Sequence, residues 1–501
     1  MTVSAPAFAD SGVRVADGGA KGKIVLATRA FAPGEVIFAE EAFVFAPWSF
    51  DVCSKCEERK SDAIAGTFCA CERKGAAEVK PLYPGTLATD LARREQVVRL
   101  MTGIEGIDEV DRARCVLRCL AMVERNSGAL AAVLQLTSAN YERSLKAATQ
   151  LRGQAPDAFP ANVSDAQLAT LIGVLNTNSH ELENLGGSGL FLSACRMEHN
   201  CSPNCSFTTY NSQLWMTAIK PIAVGDALSI DYGNFFYRPT EERMSSLLES
   251  YGFLCSCDAC VANADVTRSF QCQKSGCQKT HRGVVWPYPK KSAAPLVSPA
   301  DLDFDWKCGS CNEVATKQEV ARFLAAEKDL LENGFPESLE EVDAVVSQGV
   351  VHERHYLLFW ALDAIGCEAA ALIAFLDDEE HHASLTQTWE RIIAYMNEVV
   401  PSAHHEKTIY YDNLAQVRVV LGDLAGAKQA YARAYEMACA VSGAHCVPTQ
   451  KLRKLMESPP QTGAELRRIY EADAKPTRPF KDDDDDDGDE DFDDEDGESG
   501  Q

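Results

Sequence analysis

Arg196-Met197-Glu198-His199-Asn200-Cys201-Ser202-Pro203-Asn204-Cys205 is the stretch that decides how this chain is read. Two others follow it: Gly225-Asp226-Ala227-Leu228-Ser229-Ile230-Asp231-Tyr232-Gly233, then Tyr251-Gly252-Phe253-Leu254-Cys255-Ser256-Cys257-Asp258-Ala259-Cys260. The last packs three thiols into six residues. A structural zinc takes four ligands in a tetrahedron, so a fourth must come from elsewhere in the chain. Cysteines can also be buried as small hydrophobes, but three clustered in a polar run favour a metal.

Working outward, 501 residues are too many for one ordinary core, and two to four domains are expected. A hydrophobic fraction of 46% is that of a folded globular chain. The net charge of −26 is concentrated: residues 482–498 hold 14 Asp or Glu, which leaves −12 for the rest. That mildly acidic body argues against direct sequence-specific DNA binding, which needs a basic face. Many of the 19 cysteines come in close pairs, and residues 1–12 have neither a basic n-region nor an apolar h-region. Zinc ligands in a reducing compartment are therefore expected, rather than disulfides or a secretory signal. No apolar run approaches the ~20 residues of a membrane span.

Residues 23–29 and 36–40 alternate apolar and polar residues around Ala32-Pro33-Gly34-Glu35, a strand–turn–strand pattern. Cys53, Cys56, Cys69 and Cys71 could supply one tetrahedral site, and no further Cys or His follows until Cys115. Residues 88–152 carry helical spacing at Leu117, Leu120 and Ala121, and again at Leu130, Val133 and Leu134, before Pro156 and Pro160 end it. Ser164 is placed as an N-cap of a helix through Leu168, Leu171 and Ile172. Asn178-Ser179-His180 and a Gly-rich turn at Gly186, Gly187 and Gly189 follow. A helix is expected over 241–249. Cys272-x4-Cys277 and Cys308-x2-Cys311 read as the two knuckles of a closed zinc ribbon, with a polar, Pro-rich loop over 287–305 between them. Residues 316–472 read as helical. Tyr411, Leu414, Ala415, Gly422, Ala427, Tyr431 and Ala434 fit one tetratricopeptide-type repeat. The histidines at 352, 355, 381, 382, 404 and 405 lack metalloprotease spacing and are expected at the surface. The tail over 473–501 has no core-forming residues.

In order and spacing these motifs resemble a SET-domain protein lysine methyltransferase of the SMYD (SET and MYND domain) group. The resemblance covers 12–265 well, 266–320 fairly and 321–472 loosely. It implies an α+β, β-rich pseudoknotted SET fold with zinc modules and an all-α TPR-like C-terminal domain. The expected parts are a flexible N-terminus (1–11), the first part of SET (12–48), a degenerate MYND-like module (49–87), a helical insert (88–160) and the catalytic core (161–250). A post-SET zinc site (251–265), a zinc ribbon (266–315), the helical domain (316–472) and a disordered acidic tail (473–501) complete the chain.

The resemblance also assigns roles. Cys201 becomes the fourth ligand beside Cys255, Cys257 and Cys260. Cys272, Cys277, Cys308 and Cys311 hold a second zinc, and the four early cysteines a third. The methyl donor, S-adenosylmethionine, is met by Lys21 and Lys23, by Asn178, Ser179 and His180, by Glu198 and His199, and by Tyr232 and Phe253. Tyr232 and Tyr251 line the lysine channel as catalytic residues. Three positions depart from the family: Ile24 for a glycine, His180 for an aromatic, and Glu198 for an asparagine. The expected partner is a lysine-bearing protein, with histone tails among the candidates. The acidic tail would attract basic partners, and a monomer in nucleus or cytoplasm is expected. The competing reading is a SET-fold scaffold without catalysis.

Overall fold

The computed structural model describes residues 8, 10–48, 82–107, 109–182, 185–233, 237–280, 283–291, 296–370 and 379–471. Cys53, Cys56, Cys69, Cys71 and the acidic tail lie outside the described residues, so their expected roles are not addressed by it.

The opening alternation folds as an antiparallel hairpin of β1 (Val13–Asp17) and β2 (Lys23–Ala27). β3 (Val36–Glu41) and β4 (Val44–Pro47) follow. Four helices come next: α1 (Leu91–Thr102), α2 (Val110–Arg125), α3 (Tyr141–Gln154) and α4 (Asp165–Asn178). Ser164 caps α4 through a reciprocal bond with Gln167. Leu117, Leu120, Leu151 and Leu171 fill the core these helices share with β4 and Leu190. Leu130, Val133 and Leu134, expected in a helix, carry only one 3-10 turn, Val133–Gln135. Asn126 is the reason: it ends α2 in extended conformation and its side chain accepts from Gly128 N–H, a local bond that competes with helix.

β5 (Ser179–Leu182) and β6 (Gly187–Leu190) form a three-stranded sheet in the order β4–β6–β5. Gly187 and Gly189 therefore sit in a strand, not the expected turn. A Cβ on Gly187 would come within 2.1 Å of the Ala46 carbonyl oxygen, so these glycines serve close strand approach. β7 (Glu198–His199) pairs parallel to β10 (Ser229–Ile230), while β8 (Cys205–Tyr210) and β9 (Gln213–Ala218) join β3 in the order β3–β9–β8.

α5 (Thr240–Tyr251) and the short α6 (Asp258–Val261) lead to a second small sheet. It comprises β11 (Phe270–Gln271), β12 (Val284–Pro289) and β13 (Phe304–Cys308), with α7 (Ser275–Thr280) between the first two. The expected loop over 287–305 thus begins and ends inside paired strands, Pro287 lying opposite Trp306.

The remainder is helical: α8 (Lys317–Asn333), α9 (Leu339–Ser347), α10 (Tyr356–Ala370), α11 (Glu379–Val399), α12 (His405–Val420), α13 (Leu424–Ser442), α14 (Val447–Glu457) and α15 (Gly463–Glu471). Its core centres on Trp389, Tyr431 and Leu357. Gly422, at φ +77°, turns α12 into α13. His352 and His355 are buried here rather than at the surface: His355 approaches Glu327 at 3.4 Å and packs on Phe270. α13 also lies against β8 and β9, where Ser442 and Thr208 share a 2.6 Å hydroxyl bond. No helix among the described residues is long and apolar enough to cross a membrane.

Candidate functional site

The site forms where β7, β10 and the end of α5 converge. Asn204 fixes the loop after β7: its side chain donates to Ala227 O at 2.9 Å and accepts from Ser229 N–H at 2.9 Å. Asn200 N–H reaches Ile230 O at 3.0 Å. The 196–205 stretch is thereby tied to the strand that delivers Tyr232. Gly252, at φ +75°, ends α5 and turns the chain back, setting Tyr251 and Phe253 beside Tyr232. Ring centroids lie 4.8 Å apart for Tyr232 and Tyr251, 6.4 Å for Tyr232 and Phe253, and 5.2 Å for Tyr232 and His199.

Tyr232 is held at three points. Its hydroxyl donates to Met197 O at 2.6 Å, its N–H donates to His199 Nδ1 at 3.2 Å, and its carbonyl accepts from the Tyr251 hydroxyl at 3.2 Å. Burial, and then the neighbouring Tyr251, push the Tyr232 hydroxyl well above the ordinary phenol range; burial also raises Tyr251. Both hydroxyls are therefore neutral at physiological pH.

Below this cluster the sulfurs of Cys201, Cys255, Cys257 and Cys260 all lie within 4.8 Å of one another. The Cys201–Cys255 and Cys201–Cys260 separations are 3.9 and 3.5 Å, bracketing the ~3.8 Å sulfur–sulfur edge implied by tetrahedral zinc–thiolate bonds of about 2.3 Å. The four thiols fit a zinc ion. Cys272, Cys277, Cys308 and Cys311 make a second such group, with Cys272–Cys311 at 3.8 Å and Cys277–Cys308 at 3.9 Å. Gly283 permits it, since a Cβ there would stand 2.4 Å from Cys277 Cβ.

The remaining expected residues divide. Lys21 Nζ meets Glu198 at 2.9 Å, which draws the loop after β1 onto β7. Gly19 and Gly22 flank Lys21 with open space on their Cβ sides. Lys23 points elsewhere and pairs with Asp17 across the hairpin at 3.3 Å. Asn178 spends its amide on Thr137 O and Val174 O, and Ser179 spends its hydroxyl on Leu175 O. His180 packs edge-on to Phe191 and Phe207. Burial, with Arg112 nearby, lowers its pKa to about 4, so the ring is neutral and behaves as an aromatic.

The SET-domain family model matches residues 22–233. Among curated proteins, SET domain-containing protein SmydA-8, isoform A, of Drosophila melanogaster is 25% identical over 333 residues, 60% of this chain and 65% of its own length. Protein-lysine N-trimethyltransferase SMYD5 of Gallus gallus is 35% identical over 105 residues, 20% of this chain and 25% of its own. Histone-lysine N-methyltransferase SMYD3 of Homo sapiens is 36% identical over 74 residues, 15% and 17% of the two chains. Residues 22–233 are thus similar to a SET domain, and the relatives they bring with them carry SMYD names. The chain spans under two thirds of the length of each of these relatives. A solved structure titled as Rubisco LSMT bound to AdoMet overlaps 82% of this chain and 89% of that one at 11% identity, with a TM-score of 0.26.

Sequence reasoning missed several partners of the SET site. Arg243, buried in α5, donates to Ala259 O at 3.3 Å and lies 3.8 Å from Cys260 Sγ. Arg268 clasps Glu327 of α8 and Glu241 of α5, tying the SET core to the helical region. Burial alone would raise Glu327; His355 and Arg268 together pull it down to about 2. A charged residue on the apolar face of a helix was the available signal for Arg243. Nothing local marks Arg268.

Proposed function

We propose that this chain is an S-adenosylmethionine-dependent protein-lysine N-methyltransferase whose transfer site is built on Tyr232, Tyr251 and Phe253. The observation that carries the reading is the convergence of these three rings, two with neutral hydroxyls, above a four-thiol cluster that joins the SET-matched segment, through Tyr232 and Cys201, to the residues following it. The lysine methyltransferase names of the SMYD5 and SMYD3 relatives point the same way.

The residues present suit the donor. Lys21 and Glu198 offer a cation and an anion side by side, matching the carboxylate and ammonium of an amino-acid head group. Lys21, Glu198 and the backbone around His199 and Asn178 would hold the donor, which supplies an electrophilic methyl on sulfur. The chain then has to align a lysine that gives up its proton to bulk water as it enters. Free lysine has a pKa of about 10.4, and a dry aromatic channel disfavours its ammonium form. The neutral Tyr232 hydroxyl accepts from the amine and fixes its direction, with Tyr251 lining the channel and holding Tyr232, and that alignment supplies much of the rate. Aromatic faces attract the cationic methylated product. Zinc stays structural in this scheme: four thiols leave no open coordination position.

In this reading the helical region, with its one tetratricopeptide-type pair α12–α13, bounds the groove for a lysine-bearing protein segment, and the acidic tail draws in basic partners such as histone tails. The scaffold reading has one observation in its favour: Lys21 is already engaged by Glu198. Calorimetric titration of zinc-loaded protein with S-adenosylmethionine, followed by methylation of histones and cell lysate with Tyr232→Phe as control, decides between them. Micromolar binding and Tyr232-dependent labelling support the enzyme. A folded protein that gives no heat and no labelling refutes it.

A further inference from the structure

His199 sits between the two halves of the site. Its side chain is 2% exposed, so water cannot substitute for its protein partners. Nδ1 faces the Tyr232 N–H at 3.2 Å, and Nε2 faces Cys201 Sγ at 3.2 Å. A backbone N–H can only donate, so Nδ1 must be the unprotonated acceptor. A neutral ring then carries its proton on Nε2, aimed at the sulfur. A zinc-bound thiolate is an acceptor, and outer partners of this kind fix ligand orientation and charge. A protonated ring would lose the Tyr232 bond. Asp231 does not alter this assignment, since its carboxylate stands 3.8 Å from Nδ1, beyond a hydrogen bond.

We infer that His199 is a positioning residue that makes the seating of Tyr232 depend on the occupied Cys201 cluster, through an Nε2–H···Sγ bond on one side and an N–H···Nδ1 bond on the other. The inference deepens the methyltransferase reading and rests on it for its catalytic consequence. The tautomer and the thiolate bond stand apart from that reading.

The two ring nitrogens can be separated. His199→Gln keeps a donor at the Nε2 position, whereas His199→Asn keeps an acceptor at the Nδ1 position. Zinc release to a colorimetric chelator is followed in both, the phase belonging to this cluster being the one lost in Cys260→Ser. Outer-partner loss typically weakens metal binding 10- to 100-fold, so His199→Asn is expected to release this zinc at least ~10-fold faster, with His199→Gln close to wild type. His199→Gln is expected to lose kcat about 10-fold or more at unchanged donor KM while fully loaded. Nitrogen-15 histidine spectra of the unmutated zinc protein give a further readout: the Nε2–H tautomer is expected. An Nδ1–H tautomer, or wild-type zinc release from His199→Asn, overturns the inference. If the wild-type protein transfers no methyl group at all, the methyltransferase reading fails, while the tautomer and zinc-release results still decide the His199 assignment.

Discussion

The two four-cysteine clusters share a ligand set and differ in what they join. The first takes Cys201 from the loop after β7 and its other thiols from 54 or more residues later, and it lies directly under Tyr232 and Tyr251. The second closes the β11–β12–β13 sheet on itself, next to Phe323 of α8, with Cys311 exposed to solvent. One cluster therefore underlies the proposed transfer site, and the other completes a joint between the SET core and the helical region. Equal coordination chemistry does not imply equal functional weight; what each metal pins does.

The comparison breaks most sharply under ligand removal. Cys255→Ser should forfeit much of a structural zinc's binding free energy, on the order of 10 kcal/mol, and abolish methyl transfer. Cys311→Ser should also drop the zinc count by one but leave kcat within about threefold. Metal content by atomic spectroscopy with activity on the same samples checks both, and equal loss of activity would erase the distinction. Next, Arg268→Ala leaves Glu327 buried without its main cation, and breaking such a pair costs about 3–5 kcal/mol. Chemical denaturation should show that loss at the joint, with kcat for a short peptide changed far less.

A smaller effect concerns His180. Its folded pKa of about 4 lies below the 6.5 of the free side chain. The unfolded chain therefore takes up the proton first as pH falls, and stability is lost between pH 6.5 and 4. His180→Phe removes that term, so its advantage over wild type should grow through this window, reaching about 2 kcal/mol at pH 5. A constant difference across pH would contradict the buried neutral ring. The smallest expected change is Tyr251→Phe, which removes one neutral hydrogen bond to the Tyr232 carbonyl. About 1 kcal/mol corresponds to a roughly fivefold drop in kcat, read with zinc content unchanged; a zinc loss instead would make Tyr251 part of the cluster's support.

What the sequence disclosed was local. Thiols two to five residues apart, the Ser164 cap and the Pro-Gly turn each declare themselves within a few positions. Tyr232, Tyr251 and Phe253 were legible because the cysteines bracketing them fix where the chain must return. Partners far apart were not: Lys21 and Glu198 are 177 residues distant, and Arg268 and Glu327 are 59 apart. Gly187 and Gly189 misled because glycine serves turns and close strands alike. His352 and His355 misled because a polar side chain reads as surface until its buried neighbours are known. Glu198, which looked like a damaged motif, is occupied by Lys21, and that becomes visible only once the loop after β1 is folded onto β7.

The packing of α13 on β8 and β9 also bears on how the chain emerges from the ribosome. Gly34 lies beneath the Cys439 carbonyl, and Gly443 leaves too little room beside Val36 for any side chain. Part of the β3–β9–β8 sheet is thus covered by a segment made some two hundred residues after β9. At about 5–20 residues per second of synthesis, that face of the nascent sheet stays bare for roughly 10–45 seconds. Over that interval it is a surface for chaperones, and C-terminal truncations should fail by aggregation before they fail by loss of chemistry.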